Sequence, residues 1–296
     1  MVYLPDNPVV WALLFVTGAV IGSFLNVVIY RWPRQESIVA PPSHCMSCGA
    51  RLGIIDLFPI LSYVLLRGRC RHCGHSYSPR YAFVELLTGL LLVGSAWAFG
   101  GSVYALLVFI VSCCLLVIFF IDLDHMIIPD ELAIAIMLIG VGVNAYNLLW
   151  HGAGGLQPGE PAQGWPVTHA LAYTQEIAGA NKTAFLPSSL IGICLGGGVF
   201  MFVSWVFERV YGKPVLGYGD VKLAGAMGAL FGPGWLFAAW FVVSVVVGAV
   251  VAIFLMVFGF RRRGEYIPFG PMLALGGIVL LLFPEVGLWV VSRYGG

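Results

Sequence analysis

Apolar segments long enough to cross a lipid bilayer recur along almost the whole chain, and this pattern restricts the fold more than any other feature. A spanning helix needs about 20 mainly apolar residues. Candidate segments fall at 8–30, 81–99, 103–121, 131–150, 187–207, 221–233, 235–258 and 270–291. The sixth is the shortest, and FGPGW (231–235) reads as a tight turn into the seventh. Charged residues make up 10% of the chain, against about 25% in soluble domains. The 38 glycines suit helices whose backbones approach closely in lipid. The first apolar run lacks a basic leader and outlasts a signal-peptide core, so it reads as a retained helix. The expected fold is an all-α polytopic membrane protein of about eight transmembrane helices.

The basic residues set the orientation. With the N-terminus outside, the internal loops are 31–80, 122–130, 208–222 and 259–269. Of the 15 lysines and arginines, all but Lys182 and Arg293 then fall inside, as the positive-inside rule requires. Removing the short sixth span would move Arg261, Arg262 and Arg263 to the wrong side. Residues 1–30 are thus the first transmembrane helix, 31–80 a small cytoplasmic domain and 81–296 a membrane domain. That membrane domain carries an extracytoplasmic loop at 151–186, rich in Gly, Pro, Ala and Thr, in which no chemistry is evident. Within 31–80, LFPILSYVLL (57–66) is too short to span and is suited to lying against the membrane surface. A net charge of +1 gives no reason to expect a nucleic-acid partner.

Loop 31–80 holds two C-x2-C pairs, Cys45/Cys48 and Cys70/Cys73, 21 residues apart. Two residues between thiolates let both sulfurs of a knuckle reach one ion, and two knuckles complete a closed tetrahedral zinc shell. Gly49 and Gly74 follow the second cysteine of each pair, where the knuckle turns sharply. His44, His72 and His75 are spare ligands. Two disulfides are the alternative, and a reducing cytoplasm disfavours them. Cys113, Cys114 and Cys194 lie in apolar segments and read as small buried hydrophobes.

Acids near membrane depth are costly and usually functional. FIDLDHMIIPDE places Asp122, Asp124, Asp130 and Glu131 at the cytoplasmic end of the third span, and LGYGDVKLAG places Asp220 at the start of the sixth. Two carboxylates sharing a site do not both ionise easily. One keeps its proton and polarises a carbonyl while the other takes a proton from the attacking water. Gly217 and Gly219 permit unusual backbone angles and a close approach by an extended substrate. On the residues alone, Asp122 and Asp220 are equally readable as interfacial acids paired with Lys222 or Arg209, with Asp130 helping to start the fourth helix. A proton-coupled transporter would also carry acids, usually nearer the midplane. Glu85 and Asn26 read as interhelical hydrogen-bonding groups, Glu85 with a possible local partner in Arg80 or Tyr81.

GSFLNVVIYRWP (22–33), the two cysteine pairs, SPRYAFVELLTG (78–89), IDLDHMIIPD (121–130), GYGDVKL (217–223) and IPFGP (267–271) resemble, in that order, the type IV prepilin peptidases. These are bifunctional inner-membrane leader peptidases and N-methyltransferases. The resemblance implies GxGD-type aspartyl protease chemistry. Its second catalytic aspartate ends the GxGD motif, here Asp220; its first lies eight residues before the acid of the IPD motif, here Asp122. It implies cleavage of the basic leader of prepilins and type II secretion pseudopilins, followed by methylation of the new N-terminus with S-adenosylmethionine. The cysteine loop is associated with the methyltransferase half. No Gly-rich adenosyl fingerprint is present, and Gly68, Arg69 and the GSFLN segment (22–26) are candidate cofactor contacts only by loop proximity and motif resemblance. A GxGD peptidase without methyltransferase activity, or a non-enzymatic transporter, are the alternatives.

Overall fold

The computed structural model describes residues 7–53, 55–151, 188–212, 217–257, 268–283 and 286. Residues 152–186 of the expected extracytoplasmic loop lie outside this set. Among the described residues the regular elements are helical, with two isolated β-bridges, His44 with Arg51 and Arg69 with Ser76. The helices are α1 (Pro8–Arg31), α2 (Leu61–Leu65), α3 (Arg80–Phe99), α4 (Val103–His125), α5 (Asp130–His151), α6 (Ser188–Tyr211), α7 (Tyr218–Phe231), α8 (Trp235–Val257) and α9 (Gly270–Leu282). Among the described residues four stretches are long and apolar enough to cross a membrane: Pro8–Arg34, Arg80–Phe99, Val103–His125 and Ser188–Val210. α7, at 14 residues, is about 21 Å long, shorter than the roughly 30 Å hydrocarbon core.

The chain divides into two compact units, Met1–Cys113 and Cys114–Gly296, the boundary falling within α4. In the first, α1 and α3 pack closely because glycines remove the side chains between them. A Cβ on Gly18 would lie 2.8 Å from the Thr88 carbonyl, and one on Gly22 2.8 Å from the Glu85 Cα. Both glycines thus meet a helix of the same chain. Asn7 caps α1, its Oδ1 accepting from the Val9 N–H at 2.9 Å, with Pro8 pre-set at the first helical position. Asn26 reaches across the α1–α3 seam and donates to the Tyr81 carbonyl at 2.9 Å.

In the second unit α7 is the central element, buried everywhere except Tyr218, Gly219 and Lys222. Its run of alanines and glycines lets α5 and α6 approach at backbone distance. A Cβ on Gly140 of α5 would meet the Ala229 carbonyl at 2.7 Å, and Cβ atoms on Gly192 and Gly228 would each fall on the other's backbone. α9 packs on α8 through Gly276 against Ser244 and through the Trp240 indole N–H, which donates to the Leu273 carbonyl at 3.0 Å. Gly277 of α9 leaves room for Leu115 of α4 and Met227 of α7. α4 runs one turn beyond the expected span. Asp122, expected to open a loop, is helical, and Met126 in the left-handed region (φ 57°) ends the helix by donating its N–H to the Asp122 carbonyl at 2.9 Å. The apolar pattern stops at Ile121, while the backbone hydrogen bonding continues.

Cys194 departs from expectation. It is exposed on α6, whereas Cys113 is buried.

Gly192→Val should drive a side chain into the α7 backbone and lower the thermal midpoint of the detergent-solubilised protein by several degrees, an overpacking cost of about 1–3 kcal/mol or more. Gly198→Val, whose Cβ would enter open space, should leave the midpoint unchanged.

Candidate active site

Three segments far apart in sequence meet around one side chain. Ile128 lies in the short link between α4 and α5. A Cβ on Gly219 would stand 3.0 Å from its Cβ, and a Cβ on Gly270 would stand 2.9 Å from its Cδ1. Both neighbours are therefore glycines for want of space. The same Gly270 Cβ would stand 2.5 Å from Asp122 Oδ2, so the first residue of α9 rests directly on the Asp122 carboxyl. The Gly270 N–H also donates to Asp122, as a free donor at a helix N-terminus is placed to do.

Asp220 occupies the first turn of α7, and its Oδ2 accepts from the Gly217 N–H at 3.2 Å. Gly217 is extended (φ −70°, ψ 150°), so this bond closes the helix start. Asp122 and Asp220 are each 6% exposed, and the two carboxyls lie close enough for their charges to act on one another. Lys222, one of the two partners that the interfacial reading offered, is engaged elsewhere. It pairs with Asp130 at 2.6 Å, tying the start of α5 to α7 beside the acids. Asp124 and Glu131 are exposed.

The cysteine loop builds a second constellation. Cys45, Cys48, Cys70 and Cys73 offer sulfur atoms all within 4.8 Å of one another, with Cys45 and Cys73 at 3.9 Å. Tetrahedral ligation at about 2.3 Å places sulfurs about 3.8 Å apart, so the donor set fits one cation. The two knuckles repeat one construction. Gly49 and Gly74 take φ of 69° and 70° and donate to the carbonyls of Cys45 and Cys70 at 2.8 and 2.9 Å. Cys45 and Cys70 in turn donate to the carbonyls of Ala50 and His75 at 2.9 and 2.8 Å. The backbone N–H groups of Cys48 and Ser47 draw the Cys45 thiol down to about 6. Cys73 is pushed up to about 11: the His75 N–H favours its thiolate, but desolvation and the three competing sulfurs outweigh it. A cation among the four would relieve that competition. His44, His72 and His75 are outside the cluster, and all four cysteines are unbridged.

Gly68 takes φ 65°, and a Cβ there would meet the Tyr63 ring at 2.9 Å. Its carbonyl accepts from the Tyr77 N–H at 2.9 Å. Turn geometry and packing therefore account for this glycine, while the neighbouring Arg69 is exposed. The GSFLN segment docks on α3. Gly22 fits against Glu85, and Ser23 and the Ile60 N–H both hydrogen-bond the buried Glu85 carboxylate, Ile60 at 2.7 Å. The expectation of a local partner for Glu85 missed Ile60, 25 residues away.

Two buried acids stand at glycine-lined helix ends within a chain of membrane-length apolar helices, which is the class of a polytopic membrane protein with carboxylates held in its helical core. Residues 16–99 match the bacterial peptidase A24 N-terminal domain, and residues 109–160 and 167–253 match the type IV leader peptidase family. A protein of Stutzerimonas stutzeri named prepilin leader peptidase/N-methyltransferase is 31% identical, the alignment covering 96% of this chain and 94% of that protein. Proteins of the same name from Burkholderia pseudomallei (strain 1026b) and Pseudomonas putida are 32% and 30% identical, over 92% of this chain and 85% and 90% of theirs. No solved structure gives a significant match. The chain belongs to the type IV leader peptidase family and is an enzyme of the protease class.

Sequence reasoning gave no role to Gly270 or Ile128. The IPFGP motif was a signal, but nothing in it said that its glycine would rest on Asp122. Gly270→Ala should lower kcat on a leader-bearing peptide by at least about tenfold, with KM nearly unchanged and the protein still folded, as steady-state kinetics on purified protein would show.

Proposed function

We propose that this enzyme removes the short basic leader of prepilins and type II secretion pseudopilins at the cytoplasmic face of the bacterial inner membrane, then N-methylates the new terminus. The observation that carries the reading is the convergence of Asp122 and Asp220, both buried, at the glycine-walled ends of α4, α7 and α9. One carboxyl holds its proton and donates it in a hydrogen bond to the scissile carbonyl oxygen. The other, ionised, takes a proton from water as the water oxygen attacks the carbonyl carbon. The tetrahedral intermediate collapses, and the amine leaves with a proton from the pair. The space beside Gly219 is taken by Ile128, so of the two glycines of the motif only Gly217, whose missing side chain would meet nothing closer than 3.6 Å, is proposed to face an extended substrate backbone. A leader that stays cytoplasmic because it is basic, followed by an apolar helix in lipid, puts its scissile bond at the membrane interface. Eight spans, with the N-terminus outside and residues 81–296 forming the protease domain, would carry Asp122 and Asp220 to that depth.

The tetracysteine domain, residues 31–80, holds one zinc ion in this proposal. With four thiolates the shell is closed, so the metal ties the two knuckles together and takes no part in hydrolysis. S-adenosylmethionine supplies an electrophilic methyl group to the free amine. Of the candidates Gly68 and Arg69, Gly68 has its face filled by Tyr63 and offers no open cradle, which leaves the exposed Arg69 as the proposed contact.

Asp122→Asn and Asp220→Asn should each lower leader cleavage of a purified prepilin by at least about a hundredfold, with the protein folded; full cleavage by either would refute the pair. Cys45→Ser and Cys73→Ser should each reduce bound zinc, read by elemental analysis, and depress methylation more than cleavage. Mass spectrometry of the mature pilin N-terminus decides between the bifunctional enzyme and a peptidase alone: one added methyl is expected, and an unmodified terminus with the donor present would leave only the peptidase.

A further inference from the structure

The most exposed apolar stretch outside the long helices is 55–65. Ile55, Phe58, Leu61, Val64 and Leu65 are 68, 48, 49, 61 and 69% exposed. Exposure of this kind on one short loop calls for a covering partner. The inward side of the loop is specifically built. Tyr63 packs edge-on against Tyr77 with ring centroids 5.3 Å apart, and the Gly68 turn closes behind it. The apolar side chains are therefore displayed by an ordered turn.

Where the loop sits follows from its anchor. The Ile60 N–H donates to Glu85 at 2.7 Å, and Ile60 takes a positive φ of 61° with ψ −49°. Glu85 is five residues into α3, which begins at Arg80. Five residues of helix are about 7.5 Å. Because a helical side chain tilts back toward the helix N-terminus, the bond ties the loop no more than about 7.5 Å along α3 from its start, a depth compatible with the 5–10 Å to which interfacial helices bury their apolar face. α3 and α1 carry exposed apolar side chains at similar positions along their length, Phe83 at 51% and Phe24 at 49%. Arg67 and Arg69 follow immediately and are exposed, where guanidinium groups can reach anionic headgroups.

We propose that residues 55–65 form a membrane-inserted wedge, buried in the acyl boundary of an anionic leaflet and pinned to α3 by the Glu85–Ile60 hydrogen bond. The wedge would hold the tetracysteine loop against the bilayer surface. The proposal rests on the membrane-spanning reading of α3 and not on the roles of Asp122 and Asp220, so its failure would leave the peptidase reading intact.

The test is site-specific photocrosslinking of the full chain in nanodiscs containing phosphatidylglycerol. p-Benzoylphenylalanine is placed at Leu65 and, separately, at Val64. Met46, 64% exposed beside Cys45, is the control. Irradiation should give lipid adducts, detected by intact-protein mass spectrometry, at least fivefold more abundant from positions 64 and 65 than from 46. Equal adduct yields at all three positions would overturn the proposal. So would crosslinks from 64 and 65 to a second copy of the chain or to added prepilin in place of lipid.

Discussion

Ile128 fills the space between Gly219 and Gly270, and the placement of both acids depends on that contact. A larger residue at either glycine would separate the start of α7 from the start of α9. The Gly270 N–H would then leave Asp122, and the capped turn carrying Asp220 would move off the link that follows α4. Charge in a low-dielectric region is tolerated only where donors meet it. Here the donors are the Gly270 and Gly217 N–H groups, both at helix starts. The acids and their helix ends form a single packing unit, and Asp130 with Lys222 fastens its outer rim.

The small residues of α7 serve the same end. A helix too short to cross the bilayer unaided packs against α5, α6, α8 and α9, and its alanines and glycines let α5 and α6 approach its backbone. This enclosure keeps Asp220 buried though it lies in a first turn. The tetracysteine loop follows another logic, independent of lipid. Two identical knuckles, each turned by a glycine with positive φ, set four sulfurs at the separations a single cation requires.

Much of this was legible in the sequence where local rules suffice. C-x2-C spacing with a following glycine foretold both knuckles, and the apolar runs foretold most helices within a few residues. Asn26 was recognisable as an interhelical donor. Contacts between distant segments were not legible, because a helix in lipid is apolar on all sides. Leu115 is fully buried and Leu138 is 66% exposed, yet the two are alike in sequence. The pattern therefore cannot show which face meets a neighbour, and so hid the meeting of Gly270 with Asp122, of Gly18 with Thr88 and of Glu85 with Ile60. Cys194 was misjudged for the same reason: a cysteine facing lipid looks like one in a core. The helical end of α4 was missed because hydropathy falls before hydrogen bonding does.

That Asp122 and Asp220 work as one catalytic unit is the central claim, and a double-mutant cycle on single-turnover leader cleavage tests it most directly. Groups that act together are grossly non-additive. Asp122→Asn/Asp220→Asn should cleave no more slowly than the slower single variant. A double variant slowed by the product of the two single losses would contradict the account, since each acid would then be acting on its own.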